Sequence, residues 1–219
     1  MLTVVTLNWA RPAFLLENLR HYAACRIVDQ ILCFNNGAPL DRRAVPSKCV
    51  LVEASCNLGL YPRFALGALA RTEAIFHTDD DILVPEASLE TLAYCWQAAP
   101  GSCHGLFGRV AQPTYRFGNV FGPVEVVLTR AVVCGRRANN AALSATPMFD
   151  DLPGKPHGNG EDIILSFAAM ATSRTLNLAY RLSARQHGHE DATAIHRSWA
   201  GHLQHRQRVV ERCRSVFGL

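Results

Sequence analysis

The sequence predicts an α/β fold: a doubly wound, mostly parallel sheet with helices on both faces. Two observations carry this. Short apolar, β-branched runs alternate with segments of helical spacing through residues 1–84, the pattern of strand–helix–strand units. Each run also ends on a polar cluster, and parallel sheets bind ligands beyond the carboxyl ends of their strands.

The elements follow in order. Leu2–Leu7 is a continuous apolar and β-branched run, as in a strand buried on both faces. Asn8-Trp9-Ala10-Arg11 is the loop after it, and Pro12 suits the first turn of a helix. Phe14, Leu15, Leu19 and Tyr22 recur at helical spacing. Val28–Phe34 is the second strand, closed by Asn35-Asn36-Gly37, a turn signal. Val50–Val52 is the third. Asn57 through Arg63 leads into a helix reaching about Ala70. Ala74–Thr78 is the fourth strand and runs into Asp79-Asp80-Asp81.

The second half reads less regularly. Pro85–Trp96 is expected as a helix, Gly105–Val110 as a strand and Pro113–Gly122 as a hairpin or wide loop. Val124–Thr129 is expected as a strand, with a short helix from about Ala131. The polar, Pro- and Gly-rich stretch 139–159 reads as a lid or a disordered connection. Glu161–Thr172 is expected as a helix with Ile163, Ile164, Phe167 and Ala168 on one face. Leu176–Tyr180 is expected as a final short strand, Gln186–Ala194 as a polar loop and Ala200–Phe217 as the closing helix. With no repeat or linker, the expectation is a single domain over 1–219, with residues 1–84 and 85–219 as its halves.

Composition narrows the class. The chain has 219 residues, 49% hydrophobic and 18% charged, enough for a sizeable core. A net charge of +4 is too small to imply nucleic acid. No apolar run approaches the ~18–20 residues of a membrane span. Met1–Leu7 reads as a strand and not as a signal peptide. The expected location is cytoplasmic, peripheral to the inner membrane if Arg197, Arg206, Arg208, Arg212 and Arg214 meet an anionic surface. The eight cysteines form no C-x-x-C pair, and most are expected to be reduced core residues.

The acidic triplet is the strongest chemical signal. Carboxylates between two apolar runs belong where a strand emerges into a cleft. Alternation along a strand would send Asp79 and Asp81 one way and Asp80 the other. Two carboxylates on one side call for a cation, and Mn2+ or Mg2+ would leave positions open for substrate phosphates. The competing reading is a solvated acidic turn.

Gly158-Asn159-Gly160-Glu161-Asp162 is the second signal. The glycines allow a sharp entry into a helix, and the acids suit its first turn. They are either helix-start chemistry or a carboxylate held at the base of a cleft. On the last helix, His202 and Arg206 share a face, and Arg206 lies near a stripe of Leu203, Val210, Cys213 and Phe217. An arginine there needs an anion: a diphosphate or a structural Asp or Glu. His205, Arg208 and Arg212 are expected to face solvent. Trp9, Trp96 and Trp199 are read as core or substrate-platform residues, with core the simpler account. His187-Gly188-His189-Glu190-Asp191 reads as a solvated loop.

These pieces, in this order, resemble a known family. Thr6 to Arg11, Phe34-Asn35-Asn36, Asn57 with Arg63, Thr78 to Asp81, Gly105 to Arg109, Val126 to Thr129, Glu161 to Phe167, and His202 with Arg206 are similar to the exostosin C-terminal domain family, glycosyltransferase family 64. The resemblance implies a GT-A, Rossmann-like fold. It implies a metal-dependent transferase moving a sugar from a nucleotide sugar, UDP-sugar favoured, to a glycan or other hydroxyl acceptor with retention. It further implies that Asp81, with Asp79, ligates Mn2+ or Mg2+. Leu7, Arg11, Asn36, Asn57, Arg63, Asp79, Asp80, Glu161 and His202 would hold the donor. Asp162 would lie at the anomeric carbon, and Arg206 would steady the diphosphate. Secretory members carry a disulfide at the places of Gly160 and Val209. Its absence fits a reducing compartment and a bacterial-type relative. Three alternatives stay open: an inverting transferase with Asp162 as general base, a sugar-nucleotide pyrophosphorylase, and a non-catalytic nucleotide-sugar-binding module.

Overall fold

The structure is a computed structural model that describes residues 1–152, 158–188 and 199–219. The first half follows the alternation seen in the sequence. β1 (Leu2–Asn8) leads to α1 (Pro12–Ala24), with Pro12 at the first helical position, and then to β2 (Val28–Asn35). β3 (Cys49–Glu53), α2 (Pro62–Ala68) and β4 (Ala74–Thr78) follow. β3, β2, β1 and β4 lie side by side in that order, all parallel.

The remaining elements are β5 (Ile82–Leu83), α3 (Glu86–Ala98), β6 (His104–Gly105), β7 (Gly108–Arg109), β8 (Gly122–Val124), β9 (Val126–Val127), β10 (Ala131–Gly135), α4 (Arg136–Ala145), α5 (Glu161–Ser173), β11 (Asn177–Ala179), β12 (Arg185–Gln186) and α6 (His202–Phe217). They extend the sheet to the order β3-β2-β1-β4-β10-β6-β11-β8. β10 runs antiparallel to both its neighbours.

Strand alternation splits the core into two layers. Val5 and Leu7 of β1 and Leu32 and Phe34 of β2 join α2, α4, α5 and α6 on one face. Leu2 and Val4, with Ile31 and Cys33, join α1 and α3 on the other. Each fully buried side chain of this kind contributes roughly 1.5–3 kcal/mol before entropy is subtracted. Among the described residues, no helix is long and apolar enough to cross a membrane.

Several expectations are corrected. Ala131–Gly135 is a strand and not a helix start; Ala131, Val132, Val133 and Cys134 alternate between the two core layers, and the helix begins only after Gly135. The strand expected over Gly105–Val110 divides between the main sheet and a ribbon with β9. The strand expected over Val124–Thr129 breaks at Glu125, whose carboxylate accepts the Ala111 N–H at 2.9 Å. Leu176–Tyr180 is not the last strand, because β12 pairs with β5. The first part of the expected lid is ordered: α4 carries the fully buried Asn139, which donates to the Phe64 carbonyl at 2.9 Å. Polar composition misled there, since Asn139 satisfies buried groups instead of facing water. On α6, Leu203 is exposed while His205 is buried and 2.7 Å from the Asn159 carbonyl. Trp9 is half exposed and not a core residue. Residues 153–157 of the lid, His189-Glu190-Asp191 and Arg197 lie outside the described residues.

Candidate active site

β4 ends at Thr78, and the three aspartates that follow form a turn closed by the Ile82 N–H on the Asp79 carbonyl. The strand-like alternation expected for the triplet therefore fails. Asp80 and Asp81 share one cation: Arg11 Nη2 lies 3.2 Å from Asp80 Oδ1 and Nη1 lies 2.6 Å from Asp81 Oδ2. Asp79 instead pairs with Arg63 at 3.0 Å. α1 braces the turn from beneath. Asn18 Nδ2 donates to the carbonyls of Asp80 and Ile82 at 2.9 and 3.1 Å. The Tyr22 hydroxyl donates to Ile82 and accepts from the Val84 N–H.

Arg63 connects this turn to the second acidic motif. It is buried, and Nη2 is 3.9 Å from Glu161 Oε1 while Nη1 donates to the Thr129 carbonyl at 3.3 Å. Thr129 Oγ1 donates to Glu161 at 2.8 Å. Glu161 and Asp162 open α5, entered through Gly158 and Gly160 at φ +81° and +104°. Asp162 in turn pairs with Arg206 of α6 at 2.6 Å, both buried. The chain of contacts thus runs from Asp79 through Arg63 to Glu161, and from the adjacent Asp162 to Arg206. Residues separated by 127 positions in the sequence share one polar seam in an otherwise apolar core.

The electrostatics reflect that burial. Desolvation pushes the Asp80 carboxyl up to about 7; Arg11 opposes the shift, and Asp79 and Asp81 add to it. Asp81 is raised by burial and by Asp79, in spite of Arg11 and Arg130. Glu161 is pushed up to about 7 by burial and by Asp162, with Arg63 opposing. Burial works against the Arg206 charge, yet Asp162 and Tyr115 hold it above the ordinary arginine value. The acidic turn thus gathers three carboxylates against the guanidinium groups of Arg11 and Arg63. That is a fit for a hard divalent cation. Among the described residues no three His, Cys, Asp or Glu side chains form a metal cage. A cation that keeps substrate oxygens needs only one or two protein carboxylates, a number that Asp81 and Asp79 could offer.

The other expected residues are placed differently. Leu7 sits near the end of β1, packed in the core. The Asn36 side chain accepts the Leu58 N–H at 2.7 Å and donates to the Gly59 carbonyl at 2.6 Å, so it shapes the loop after β3. Asn57 is exposed and caps its own turn on the Gly59 N–H. His202 lies 3.1 Å from Asn159 and stacks in parallel on Phe117, centroids 5.8 Å apart. Sequence reasoning missed Tyr115, whose ring carries the Arg206 guanidinium 4.6 Å from its centroid. It also missed Asn18 and Thr129. Nothing in their local spacing distinguishes them, because each acts across a long sequence separation.

Among solved structures, the chain is similar to the crystal structure of S. aureus TarS 1-349 in complex with UDP-GlcNAc. The match has a TM-score of 0.56 and 13% identity, and it covers 88% of this chain and 61% of that one. It is also similar to the mannosyltransferase PcManGT from Pyrobaculum calidifontis in complex with GDP-Man and Mn2+. That match has a TM-score of 0.55 and 13% identity, and it covers 98% of this chain and 73% of that one. The chain thus spans about three-fifths of the length of TarS 1-349. At such identity these matches speak for the fold, which is the mixed α/β fold of GT-A glycosyltransferases. No curated protein matches the chain. The model of the glycosyl transferase family 64 domain matches residues 2–219. The chain, matched over nearly its whole length, belongs to glycosyl transferase family 64.

Proposed function

We propose that this chain moves a sugar from a nucleoside-diphosphate sugar to a glycan or other hydroxyl acceptor, with a divalent cation, Mn2+ or Mg2+, held by Asp81 and Asp79. The observation that carries the reading is the seam just described. It joins the acidic turn to the Asp162–Arg206 pair, so a diphosphate and an anomeric carbon have groups of the right charge within one site. UDP-sugar is the favoured donor, and the sugar it carries is a hexose or N-acetylhexosamine.

The residues divide the work. Asp81 and Asp79 would hold a cation that would supply positive charge against the charge growing on the diphosphate leaving group. Arg206 adds a fixed positive charge nearby; its Nε is buried without a hydrogen-bond partner among the described residues, and a preorganised donor of this kind favours the charged transition state. Asp162 is gripped by Arg206 at 2.6 Å and accepts the Ile163 N–H at 2.9 Å. It can stabilise an oxocarbenium-like carbon or attack it. Arg63, with Thr129, fixes Asp79 and Glu161 in position, which makes it a brace of the site more than a donor ligand. Arg11, Asp80, Asn36, Asn57, Leu7 and His202 line or shape the donor side. Retention is the favoured stereochemical course, with Asp162 as general base in the inverting alternative.

The test is release of nucleoside diphosphate from UDP- and GDP-sugars with Mn2+, read beside donor binding. Loss of release in Asp162→Asn with donor binding intact supports the assignment. Donor binding without release in the wild type would leave a binding module. NMR of the product's anomeric configuration separates retention from inversion.

A further inference from the structure

We infer that Arg11 is the resident counter-cation of the acidic turn and that it makes divalent-cation binding at Asp81 depend on the diphosphate. The inference rests on the proposed role of Asp81 as a metal ligand.

Arg11 stands at the N-cap of α1, the positive end of a helix dipole, where a cation is disfavoured. The first turn of α1 holds no acidic residue. The carboxylates that compensate Arg11 come from the turn after β4. One guanidinium bridges Asp80 and Asp81, whose residues are 5% and 9% exposed. Pro12 follows Arg11 directly and starts the helix, and α1 also grips the turn through Asn18 and Tyr22. Arg11 and the carboxylates are therefore mounted on a shared, braced frame.

A second cation approaching Asp81 meets a positive charge already hydrogen-bonded to one of its oxygens. In a poorly hydrated site that repulsion is weakly screened. The cation alone therefore binds Asp81 weakly. A diphosphate changes the balance, because its oxygens can take the guanidinium, the metal or both. The coupling is reciprocal: the factor by which diphosphate tightens metal binding equals the factor by which metal tightens diphosphate binding. Arg11 enlarges that factor by weakening the metal-only state.

The test is Mn2+ binding to the full chain, read by the electron paramagnetic resonance signal of free Mn2+, with and without UDP. Arg11→Met is expected to tighten Mn2+ binding to the protein alone by about tenfold or more and to shrink the tightening produced by UDP. Arg11→Lys keeps the charge and is expected to bind Mn2+ as weakly as the wild type, which separates charge from packing. Unchanged or weaker Mn2+ binding in Arg11→Met, in a variant whose thermal unfolding remains cooperative, overturns the inference and makes Arg11 a support for Asp81. If Asp81→Asn binds Mn2+ in the presence of UDP like the wild type, the metal-ligand assignment itself fails, and the role of Arg11 falls with it.

Discussion

Arg206 Nη2 lies 2.6 Å from Asp162 Oδ2, with both residues buried and the Tyr115 ring stacked against the guanidinium. This contact joins α6 to the first turn of α5. Substituting one partner strands the other as a buried charge, which typically costs 3–5 kcal/mol. Arg206→Met is expected to lower urea-unfolding stability by roughly that amount and nucleoside diphosphate release by roughly 100-fold or more. Asp162→Asn keeps the shape and one hydrogen bond, so it should unfold less readily than Arg206→Met while releasing as little product. Equal activity in either variant would remove the pair from the chemistry.

Arg63 offers a contrast between bracing and binding. It holds Asp79 at 3.0 Å and Glu161 at 3.9 Å from within the core. Arg63→Met is expected to destabilise the fold by about 3 kcal/mol, since the buried Glu161 and the partly exposed Asp79 lose their cation. Arg63→Met combined with Glu161→Gln should recover part of that loss. A double-mutant cycle with no coupling between the two would show that the 3.9 Å contact contributes nothing.

His77 supplies the clearest dependence on pH. It is fully buried on β4, with Asn139 Oδ1 at 3.1 Å from Nε2 and Phe64 edge-on. Burial, aided by Arg63, lowers its pKa to about 3 from an ordinary 6.5. The unfolded chain therefore binds a proton that the folded chain refuses. Stability from this group is full above about 6.5 and is lost as pH falls toward 3, with a slope of up to about 1.4 kcal/mol per pH unit. Unfolding in EDTA between pH 7 and 4.5 should show His77→Gln losing less stability on acidification than the wild type. Parallel pH profiles would mean that His77 accepts its proton in the folded state.

The sequence disclosed the parallel half of the sheet because each of its elements is locally self-consistent. Leu2–Asn8 is an apolar and β-branched run buried along its whole length, and Pro12 marks a helix start whatever surrounds it. The later half fails that condition. Ala131–Gly135 has the composition of either a strand or a buried helix, and only its neighbours β4 and β6 decide. Asn139 looks like a lid residue until His77 and Phe64 are in place. The site divides in the same way. Its carboxylates announce themselves by type, whereas the pairing of Asp80 with Asp81 on Arg11 depends on a turn that begins one residue after the strand ends.

Gly160 and Val209 show how a departure from the family pattern can be read physically. A Cβ placed on Gly160 would lie 3.3 Å from the Val209 Cβ and 2.9 Å from its Cγ2. The two positions that the family resemblance would pair as a disulfide do face each other, across a close contact. Gly160→Cys with Val209→Cys is expected to crosslink under mild oxidant, seen as loss of two free thiols and a mobility shift without reductant. At φ +104° a non-glycine residue is strained by about 1–3 kcal/mol. The reduced double variant should therefore melt below the wild type, and oxidation should restore part of the difference through loop closure. Failure to crosslink would mean that the α5 entry cannot bring the two chains into register.

Asn18 tests whether the acidic turn is held in place or only shielded. Its amide donates to both Asp80 and Ile82 carbonyls from the buried face of α1. Asn18→Leu removes both hydrogen bonds; the Asp80 carbonyl loses its Asn18 donor while Ile82 keeps the Tyr22 hydroxyl, at a cost of about 1–3 kcal/mol. If the turn is held only by Arg11, the damage ends there and the metal requirement is unchanged. If α1 fixes the geometry of Asp81, the Mn2+ concentration for half-maximal turnover should rise severalfold while turnover at saturating Mn2+ changes little, because the carboxylates themselves survive. A uniform drop in turnover at every Mn2+ concentration would place the effect of Asn18 elsewhere. The expected split is specific to a residue that acts on the metal site through the backbone of the turn.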